Sequence, residues 1–292
     1  MSGGKRLRAA FLGPSGTYAE EAALMLFENS DVELVAHPSI QGTLHAIGAG
    51  RVECAVVPVE NSVEGTVPAT LDTFWLLPSL RVEQALILPV RHCLIGRGTL
   101  GEINTVYSHP QALAQCQGWL EEHLGKADRL PTASTVQALS HIGPGAAAIA
   151  SERAADLHSL PVLARTINDH GDNCTRFWLV TGEHLALGRG VSTRTSIAFS
   201  LKQNCPGALL GVLAILSEQN INLAKIESRP TKKVIGEYLF FADLEGDAEQ
   251  EPITSVLRRI GACVAELRLL GSYPVLQVPV AGSLDPPQAR CS

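Results

Sequence analysis

The 292-residue sequence lacks three features that would each indicate a particular class of protein. Positive charge is not in excess: the formal net charge is −6, which argues against non-specific nucleic-acid binding because that requires a basic surface. No apolar run approaches the roughly 20 residues of a membrane-spanning helix. Residues 1–8 are basic but lead straight into a strand-like run, so they predict neither a signal peptide nor a transit peptide.

Metal-ligand spacings are missing as well. The seven cysteines are odd in number and scattered, and none belongs to a C-x-x-C or Cys/His pattern. The histidines include no H-E-x-x-H pair. Residues 96–101 match G-x-G-x-x-G, but residues 102–107 after them are strand-like where a dinucleotide fold requires a helix. These observations predict reduced thiols in a cytoplasmic protein, with neither a metal nor a nucleotide.

What the sequence does contain is enough apolar material for two domains, since 46% of its residues are hydrophobic and 18% charged. Early in the chain, short apolar runs that predict strands are each followed by a helix with an N-cap residue. The predicted strands are 7–12, 54–59, 105–107 and 146–150. In a doubly wound sheet the strand-to-helix connections lie at one edge of the sheet, where ligands bind. Capping alone explains a single cluster such as Ser108 with Gln111, but the repetition favours a pocket.

A polar turn before a buried strand is the strongest local signal. Asn173, Thr175 and Arg176 precede an apolar run at 177–180 that reads as a strand. Because amide, hydroxyl and guanidinium groups are costly to bury without partners, this strand start predicts a site for an anionic small molecule. The alternative is that Asn173 forms a turn and Arg176 a surface ion pair. The turn at 13–17, at a helix start, is a second candidate for binding an anion, although for a single turn a plain strand-turn-helix connection is the favoured interpretation.

The C-terminal part of the chain follows a different pattern. The Gly-rich stretch before residue 195 predicts a linker. Strands at 195–201, 221–228, 237–244 and 265–270, with helices at 206–219 and 253–263, give the order βαββαβ of a ferredoxin-like domain. Residues 274–292 are rich in proline and small side chains and predict a frayed tail.

Four segments resemble motifs of the prephenate dehydratase family: 13–17 (GPSGT), 57–65 (VPVENSVEG), 108–112 (SHPQA) and 173–177 (NCTRF). In the second domain, 207–209 (GAL) and 226–230 (IESRP) resemble an ACT regulatory domain. The matches span roughly residues 7–272 and occur in order, which makes them highly specific together. Tyr18 and Ala19 depart from the family's common Phe-Ser. No chorismate mutase helices precede the match, so the chain resembles the monofunctional form.

The resemblance implies an α/β fold: a two-lobed catalytic domain like a type 2 periplasmic binding protein, with the site between the lobes, followed by a ferredoxin-like ACT domain. We expect a catalytic domain at 1–182, a linker at 183–194, an ACT domain at 195–273 and a tail at 274–292. The implied activity converts prephenate to phenylpyruvate, water and carbon dioxide in phenylalanine biosynthesis, without a cofactor. ACT domains of the family pair in a homodimer or homotetramer and bind L-phenylalanine as feedback inhibitor.

The resemblance also assigns site residues. The catalytic role falls on Thr175, which we interpret as a hydrogen-bond donor to the departing oxygen. Substrate binding is expected of Ser15, Thr17, Glu60, Asn61, Ser62, Ser108, Gln111, Asn173, Arg176 and Phe177. Effector binding is expected of Gly207, Ala208, Leu209, Glu227, Ser228 and Arg229.

Several alternatives stay open at this point. Arg176 either counters the substrate carboxylates or braces Glu60, and Phe177 either walls the pocket or simply packs in the core. The substrate is prephenate or its amino analogue arogenate, since sequence reasoning does not distinguish their side-chain pockets. A non-catalytic amino-acid sensor is the competing function, because two-lobed clefts and ACT domains both serve binding roles. Related regulators respond to other hydrophobic amino acids, with either sign.

Overall fold

The structure, a computed structural model, describes residues 6–182, 185, 187–232 and 234–279. The chain divides into two units. Of the described residues, the first unit contains those up to Ser15 together with Ala19–Leu86 and Arg176–Leu276, and the second contains Gly16–Tyr18, Ile87–Thr175 and those from Gln277 onward. Within the described residues, no helix is long and apolar enough to cross a membrane.

The strands are, in chain order, β1 (Leu7–Leu12), β2 (Val32–His37), β3 (Cys54–Asn61), β4 (Gly65–Thr66), β5 (Arg81–Pro89), β6 (His92–Gly96), β7 (Thr105–Ser108), β8 (Asp128–Pro131), β9 (Ala146–Ser151), β10 (Val162–Ala164), β11 (Cys174–Thr181), β12 (Arg194–Leu201), β13 (Leu223–Pro230), β14 (Tyr238–Glu245), β15 (Val264–Tyr273) and β16 (Val275–Gln277). The α-helices are α1 (Tyr18–Leu26), α2 (Ile40–Gly48), α3 (Pro68–Leu76), α4 (Pro110–Gln115), α5 (Gln117–Leu124), α6 (Thr135–Ala138), α7 (Glu152–Leu157), α8 (Ala208–Glu218) and α9 (Ile253–Cys263).

The first unit is built on a sheet in the order β16-β5-β11-β3-β1-β2, with β4 beside β3. β1 runs parallel to both of its neighbours. Apolar residues of the central strands, including Ala10, Val57 and Trp178, pack against Leu44 of α2 and Phe74 of α3. Close packing of this kind fixes backbone positions. The core therefore holds the end of β3 and the body of β11, the two strands that carry predicted site residues in this unit.

The second unit has its own sheet, in the order β10-β6-β9-β7-β8. Successive residues of a strand point to opposite faces, and here both faces are covered. Leu94 and Ile149 pack with Leu120 of α5 on one side. Ile95, next to Leu94, packs with Ala154 of α7 in a separate cluster on the other side. Helices on both faces place the strand ends of this unit at the edges of a rigid sheet.

The C-terminal strands and helices form a four-stranded antiparallel sheet in the order β13-β14-β12-β15, with α8 and α9 on one face. Ile197 and Leu244 pack beneath the helices against Val212 and Val256. The opposite face, through residues such as Phe241, joins the core of the first unit. The predicted βαββαβ order is confirmed, and this sheet has apolar packing on both faces.

The predicted elements agree with the structure wherever the apolar pattern is regular. Strand 7–12 and helix 253–263 have the predicted bounds. The sequence analysis did not identify β2, α2, β5 or β10. The tail prediction is wrong at its start, because Val275–Gln277 forms β16 beside β5. Residues 183, 184 and 186 of the predicted linker and residues 280–292 of the tail lie outside the described residues.

Candidate functional site

A buried polar cluster in the second unit brings together the start of β11, the end of α4 and the start of β6. Asn173 is 2% exposed, and its Nδ2 donates to Gln115 Oε1 over 3.0 Å. The same Gln115 oxygen lies 3.0 Å from His92 Nε2. Since buried amides require hydrogen-bond partners, these contacts fix the orientation of all three side chains. Asn173 is therefore a buried member of a network rather than only a surface turn residue.

His92 is held on several sides. Its backbone N–H donates to Asn168 Oδ1 over 2.7 Å. Its ring stands edge-on to the Tyr18 ring, with centroids 5.8 Å apart. Burial lowers the pKa of His92 below its usual value of 6.5, and the hydrogen bond with Gln115 offsets only part of that shift. The ring is therefore neutral near pH 7, with one nitrogen able to donate and the other to accept.

Thr175 is the second residue of β11 and is 9% exposed. Its hydroxyl therefore lies in an environment that is largely dry. Low local polarity strengthens the hydrogen bonds that such a hydroxyl makes. Thr17, in the same unit, is half-buried in the turn before α1, where Ser151 Oγ donates to the Gly16 carbonyl over 3.0 Å. This bond ties the turn to the N-cap of α7.

The predicted capping box of α4 is wrong. The N-cap is His109, whose Nδ1 accepts from the Gln111 backbone N–H over 3.3 Å. The Ser108 side chain is fully buried and donates to the Ile149 carbonyl over 2.7 Å. Ser108 points across to β9 because it is the last residue of β7 and not the first of a loop. Gln111 is exposed on the first turn of α4.

In the first unit, Asn61 shapes the turn at the end of β3. It is 7% exposed, and its Oδ1 accepts from the backbone N–H groups of Val63 and Glu64, each over 3.0 Å. An Asx turn of this kind fixes the backbone that follows. Ser62, inside that turn, is exposed, as is Ser15 after β1. These two residues present polar groups to solvent.

Arg176 lies between two carboxylates. Its NH2 is 2.9 Å from Glu60 Oε2, and its NH1 is 2.6 Å from Asp243 Oδ2 in β14. The Arg176 side chain is 11% exposed and that of Asp243 is 6% exposed. Burial lowers the pKa of Arg176, but the Asp243 and Glu60 charges outweigh burial and leave that pKa above its ordinary value. Arg176 is thus a permanent buried cation that is already paired.

Phe177 follows Arg176 on β11 and is 2% exposed. Its neighbours Trp178, Leu179 and Val180 are equally buried, as the sequence predicted for this strand. Uniform burial over consecutive residues is typical of a strand that is covered on both faces. The predicted strand is confirmed, and packing alone accounts for the apolar character of Phe177.

The candidate effector residues occupy two features of the C-terminal domain. Gly207 is the N-cap of α8 with a left-handed φ of +84°, and Ala208 and Leu209 begin the helix. Only glycine adopts this conformation readily. On β13, Ser228 is exposed, whereas its neighbours Glu227 and Arg229 are half-buried.

Glu227 and Arg229 contact elements of the first domain. Thr66 Oγ1 donates to Glu227 Oε2 over 3.0 Å. Arg229 forms a two-pronged ion pair with Asp72 of α3, with both N–O distances 3.1 Å. Burial raises the pKa of Asp72, but Arg229 and Lys232 lower it more, so that the pKa lies below its usual value. Ser228 points to the opposite face of the strand from these two side chains.

The residues in these networks that the sequence analysis missed include His92, Gln115, Asp243 and Lys225, whose ammonium lies 3.0 Å from Glu60 Oε1. Gln115 lies at the fourth position after Gln111, one helical turn on, and that spacing was the available signal. Asp243 and Lys225 are remote in sequence from their partners and gave no local signal. Within the described residues, no group of three or more His, Cys, Asp or Glu side chains is arranged for a metal ion.

Comparison with known proteins identifies two families along the chain. The family model "Prephenate dehydratase" matches residues 9–184, and the model "ACT domain" matches residues 195–262. A prephenate dehydratase of Amycolatopsis methanolica is 38% identical over 283 residues, covering 96% of this chain and 92% of that protein. The Arabidopsis thaliana protein "Arogenate dehydratase/prephenate dehydratase 2, chloroplastic" is 36% identical over 290 residues. The match covers 94% of this chain and 74% of the Arabidopsis protein.

The crystal structure of the Arthrobacter aurescens prephenate dehydratase in complex with L-Phe superimposes with a TM-score of 0.83 at 32% identity. The match covers 96% of this chain and 92% of that one. It confirms the predicted fold class, a two-lobed α/β domain of the periplasmic-binding-protein type followed by a ferredoxin-like ACT domain.

Proposed function

Since the chain belongs to the prephenate dehydratase family, we propose that it converts prephenate to phenylpyruvate, carbon dioxide and water, under control of its ACT domain. The observation that carries the proposal is the family match over residues 9–184, which contains all four motifs of the first domain. In the reaction, the C–C bond to the ring carboxylate breaks and its electron pair enters the ring. The ring C–O bond then breaks, and the departing oxygen takes up a proton to leave as water.

In this proposal Thr175 donates a hydrogen bond to the departing oxygen. Loss of hydroxide is difficult unless a proton or hydrogen bond arrives as the C–O bond breaks, and a positioned donor typically contributes about 10²- to 10⁴-fold. A threonine hydroxyl is a weak acid, so its role is that of a preorganised donor. The 9% exposure of Thr175 supports the role, because a dry environment strengthens such a bond.

The His92–Gln115–Asn173 cluster orients groups next to Thr175 in the chain. Asn173 is two residues before Thr175, and its amide is fixed by Gln115. We include Gln115 among the site residues because it is 6% exposed and accepts from Asn173 while contacting His92. Ser108 supports the same unit indirectly, since it bonds the backbone of β9.

Each unit by itself presents exposed polar groups at strand ends or helix starts, and such groups can bind a carboxylate. Ser62 and Ser15 in the first unit, and Gln111 and Thr17 in the second, are partly or fully exposed. Asn61 fixes the turn that presents Ser62. The two ion pairs of Arg176 favour its role in bracing the site over direct contact with substrate.

The ACT domain takes L-phenylalanine, and its domains pair in a homodimer or homotetramer. The left-handed Gly207 leaves the backbone at the start of α8 open to a ligand, and among the described residues no atom beyond its two chain neighbours lies within 4 Å of where its Cβ would be. Ser228 adds an exposed polar group on β13. Glu227 and Arg229 link this strand to the first domain. Their role is therefore to couple the effector site to that domain and not to bind the side chain of the ligand.

The enzyme acts in the cytoplasm. The six cysteines that the structure describes support this assignment, because all are free thiols and reduced cysteines are typical of cytoplasmic proteins. Arogenate is the alternative substrate, favoured by the name of the Arabidopsis relative.

Two product assays with purified protein test the proposal: absorbance of phenylpyruvate with prephenate as substrate, and chromatographic detection of phenylalanine with arogenate as substrate, since the amino group of arogenate is kept in its product. We expect product from prephenate and a rate that falls when L-phenylalanine is added. Turnover of arogenate but not of prephenate would show that arogenate is the substrate. Calorimetric binding of phenylalanine without turnover of either substrate would show a sensor and reject the enzymatic proposal.

A further inference from the structure

Strand β13 of the ACT domain presents one face to the first domain. Lys225, Glu227 and Arg229 alternate along the strand, and each pairs with a residue of the first domain. Their partners are Glu60 at the end of β3, Thr66 of β4 and Asp72 of α3. Since residues two apart share a face, these three contacts form one continuous row.

The first contact of the row, between Lys225 and Glu60, differs from the other two because it continues into further ion pairs. The Lys225 ammonium lies 3.0 Å from Glu60 Oε1, and the second oxygen of the same carboxylate lies 2.9 Å from Arg176 NH2. Arg176 in turn pairs with Asp243 of β14. Four charges of alternating sign thus lie in series, Lys225, Glu60, Arg176 and Asp243, and both ends of the series belong to the ACT domain.

The acidic end of this series is firmly held. Ser196 of β12 donates to Asp243 Oδ1, and the Tyr273 hydroxyl contacts the same Ser196 oxygen. Tyr273 is fully buried and packs edge-on to Trp178 of β11. Asp243 is therefore fixed by three strands of the ACT sheet and offers Arg176 a rigid partner.

The two central charges adjoin the proposed catalytic segments. Glu60 precedes Asn61 in the turn at the end of β3, and Arg176 is peptide-bonded to Thr175. A shift of about 1 Å at a reacting group costs on the order of 10²-fold in rate. Groups that hold Glu60 and Arg176 therefore control the positions on which the proposed reaction depends.

We propose that Lys225 and Asp243 are positioning residues for the reaction: from the ACT domain, they hold Glu60 and Arg176 and thereby place Asn61 and Thr175. The inference rests on the proposed function for the identity of the catalytic segments. It assigns to two ACT-domain side chains a part in basal turnover, apart from any effector.

Lys225→Met is the direct test, with Asp72→Asn as the matched control. Both variants cut an ion pair between β13 and the first domain, but Asp72 pairs with Arg229 and Lys232 and does not belong to the series that contains Glu60 and Arg176. We expect Lys225→Met to lower kcat by about 10- to 100-fold with KM within a few-fold, as for a misplaced catalytic group. Asp72→Asn should keep kcat within about two-fold, because it leaves the Lys225–Glu60–Arg176–Asp243 series in place. Equal kcat values in the two variants would overturn the inference.

Lys225→Arg separates charge from mere packing. The arginine keeps a cation opposite Glu60, so we expect it to retain at least about a third of the wild-type kcat. A loss as large as that of Lys225→Met would overturn the inference, since the charge would then not be what positions the segment.

Hydrogen exchange tests the positioning without reference to turnover. Backbone amides of residues 59–62 and 174–177 should exchange faster in Lys225→Met than in the wild type and in Asp72→Asn. Unchanged exchange at these residues would reject the positioning role even in an active enzyme. Faster exchange in a protein whose wild type turns over no substrate would leave the hold on these segments intact and reject only the proposed function.

Discussion

Arg176 NH1 lies 2.6 Å from Asp243 Oδ2, which joins the residue after Thr175 to a central strand of the ACT sheet. Both side chains are almost fully buried. A buried ion pair gains little over a well-packed apolar pair, but removal of one partner leaves an uncompensated charge. Arg176 also pairs with Glu60, but Glu60 keeps Lys225 as a second cation, so loss of Arg176 leaves mainly Asp243 uncompensated.

Arg176→Met should therefore destabilise the protein strongly. We expect the free energy of unfolding to fall by about 3–5 kcal/mol, the usual cost of breaking a buried pair. Urea unfolding followed by circular dichroism measures this change. The control is Arg165→Met, which removes an exposed partner of Glu152 and should leave the unfolding midpoint unchanged within error. Similar midpoints for the two variants would show that the Arg176 pairs contribute no more than a surface contact.

The ion pairs of Arg176 illustrate what the sequence can and cannot predict. Local pattern predicted the strand that carries it and offered the pairing with Glu60 as one of two readings. It gave no indication of Asp243 or Lys225, because neither the position nor the spacing of a partner far along the chain is encoded locally. Tertiary packing decides such pairs.

Ser108 shows a different failure. A serine before a helix with glutamine three residues later predicts a capping box, but the strand extends to Ser108 and His109 takes the N-cap. The one-residue difference turns the Ser108 hydroxyl onto Ile149 of the neighbouring strand. Boundaries of elements are set by the pairing of strands in the sheet, and a side chain's role changes with them. By contrast, Ser151 is also the last residue of its strand, β9, but α7 begins directly after it at Glu152, so the Ser151 hydroxyl accepts from the Ala154 backbone N–H and caps the helix.

Thr175→Ala should lower kcat by at least about 100-fold, because the departing oxygen loses its donor. Steady-state kinetics with prephenate measures the effect. Thr175→Ser, which keeps the hydroxyl, should retain activity within about ten-fold, since the loss of one methyl group shifts the hydroxyl only slightly.

Thr181→Ala serves as the control for the same strand. Thr181 is fully buried on β11 and donates to Glu83 over 2.9 Å, so its loss should cost about 1 kcal/mol of stability and leave kcat unchanged. A folded Thr175→Ala protein with a rate within a few-fold of the wild type would remove Thr175 from the mechanism.

His92 should make stability depend on pH. Burial lowers the pKa of His92 below its usual 6.5, so the unfolded chain binds a proton at a higher pH than the folded protein does. The free energy of unfolding should consequently fall as the pH drops below about 6.5, by at most roughly 1.4 kcal/mol per pH unit, until the folded-state pKa is reached. Urea unfolding between pH 5.5 and 7.5 measures the slope, and His92→Gln, which does not titrate, should show a shallower one. Parallel curves for the two proteins would mean that another group accounts for the acid sensitivity.

Gly207→Ala should weaken both the fold of the ACT domain and its binding of phenylalanine. The left-handed φ of +84° at this N-cap costs an L-residue on the order of 1–2 kcal/mol, whatever space surrounds it. Gly211→Ala is the matched control, because Gly211 lies inside α8 and an added Cβ there would meet no described atom within 4 Å outside its own helix backbone. Alanine at this position should raise stability by up to about 1 kcal/mol. Calorimetry should show weaker phenylalanine binding in Gly207→Ala and unchanged binding in Gly211→Ala. Equal affinities in the two variants would place the effector away from the start of α8, while equal unfolding free energies would mean that the backbone there relaxes out of the left-handed conformation at little cost.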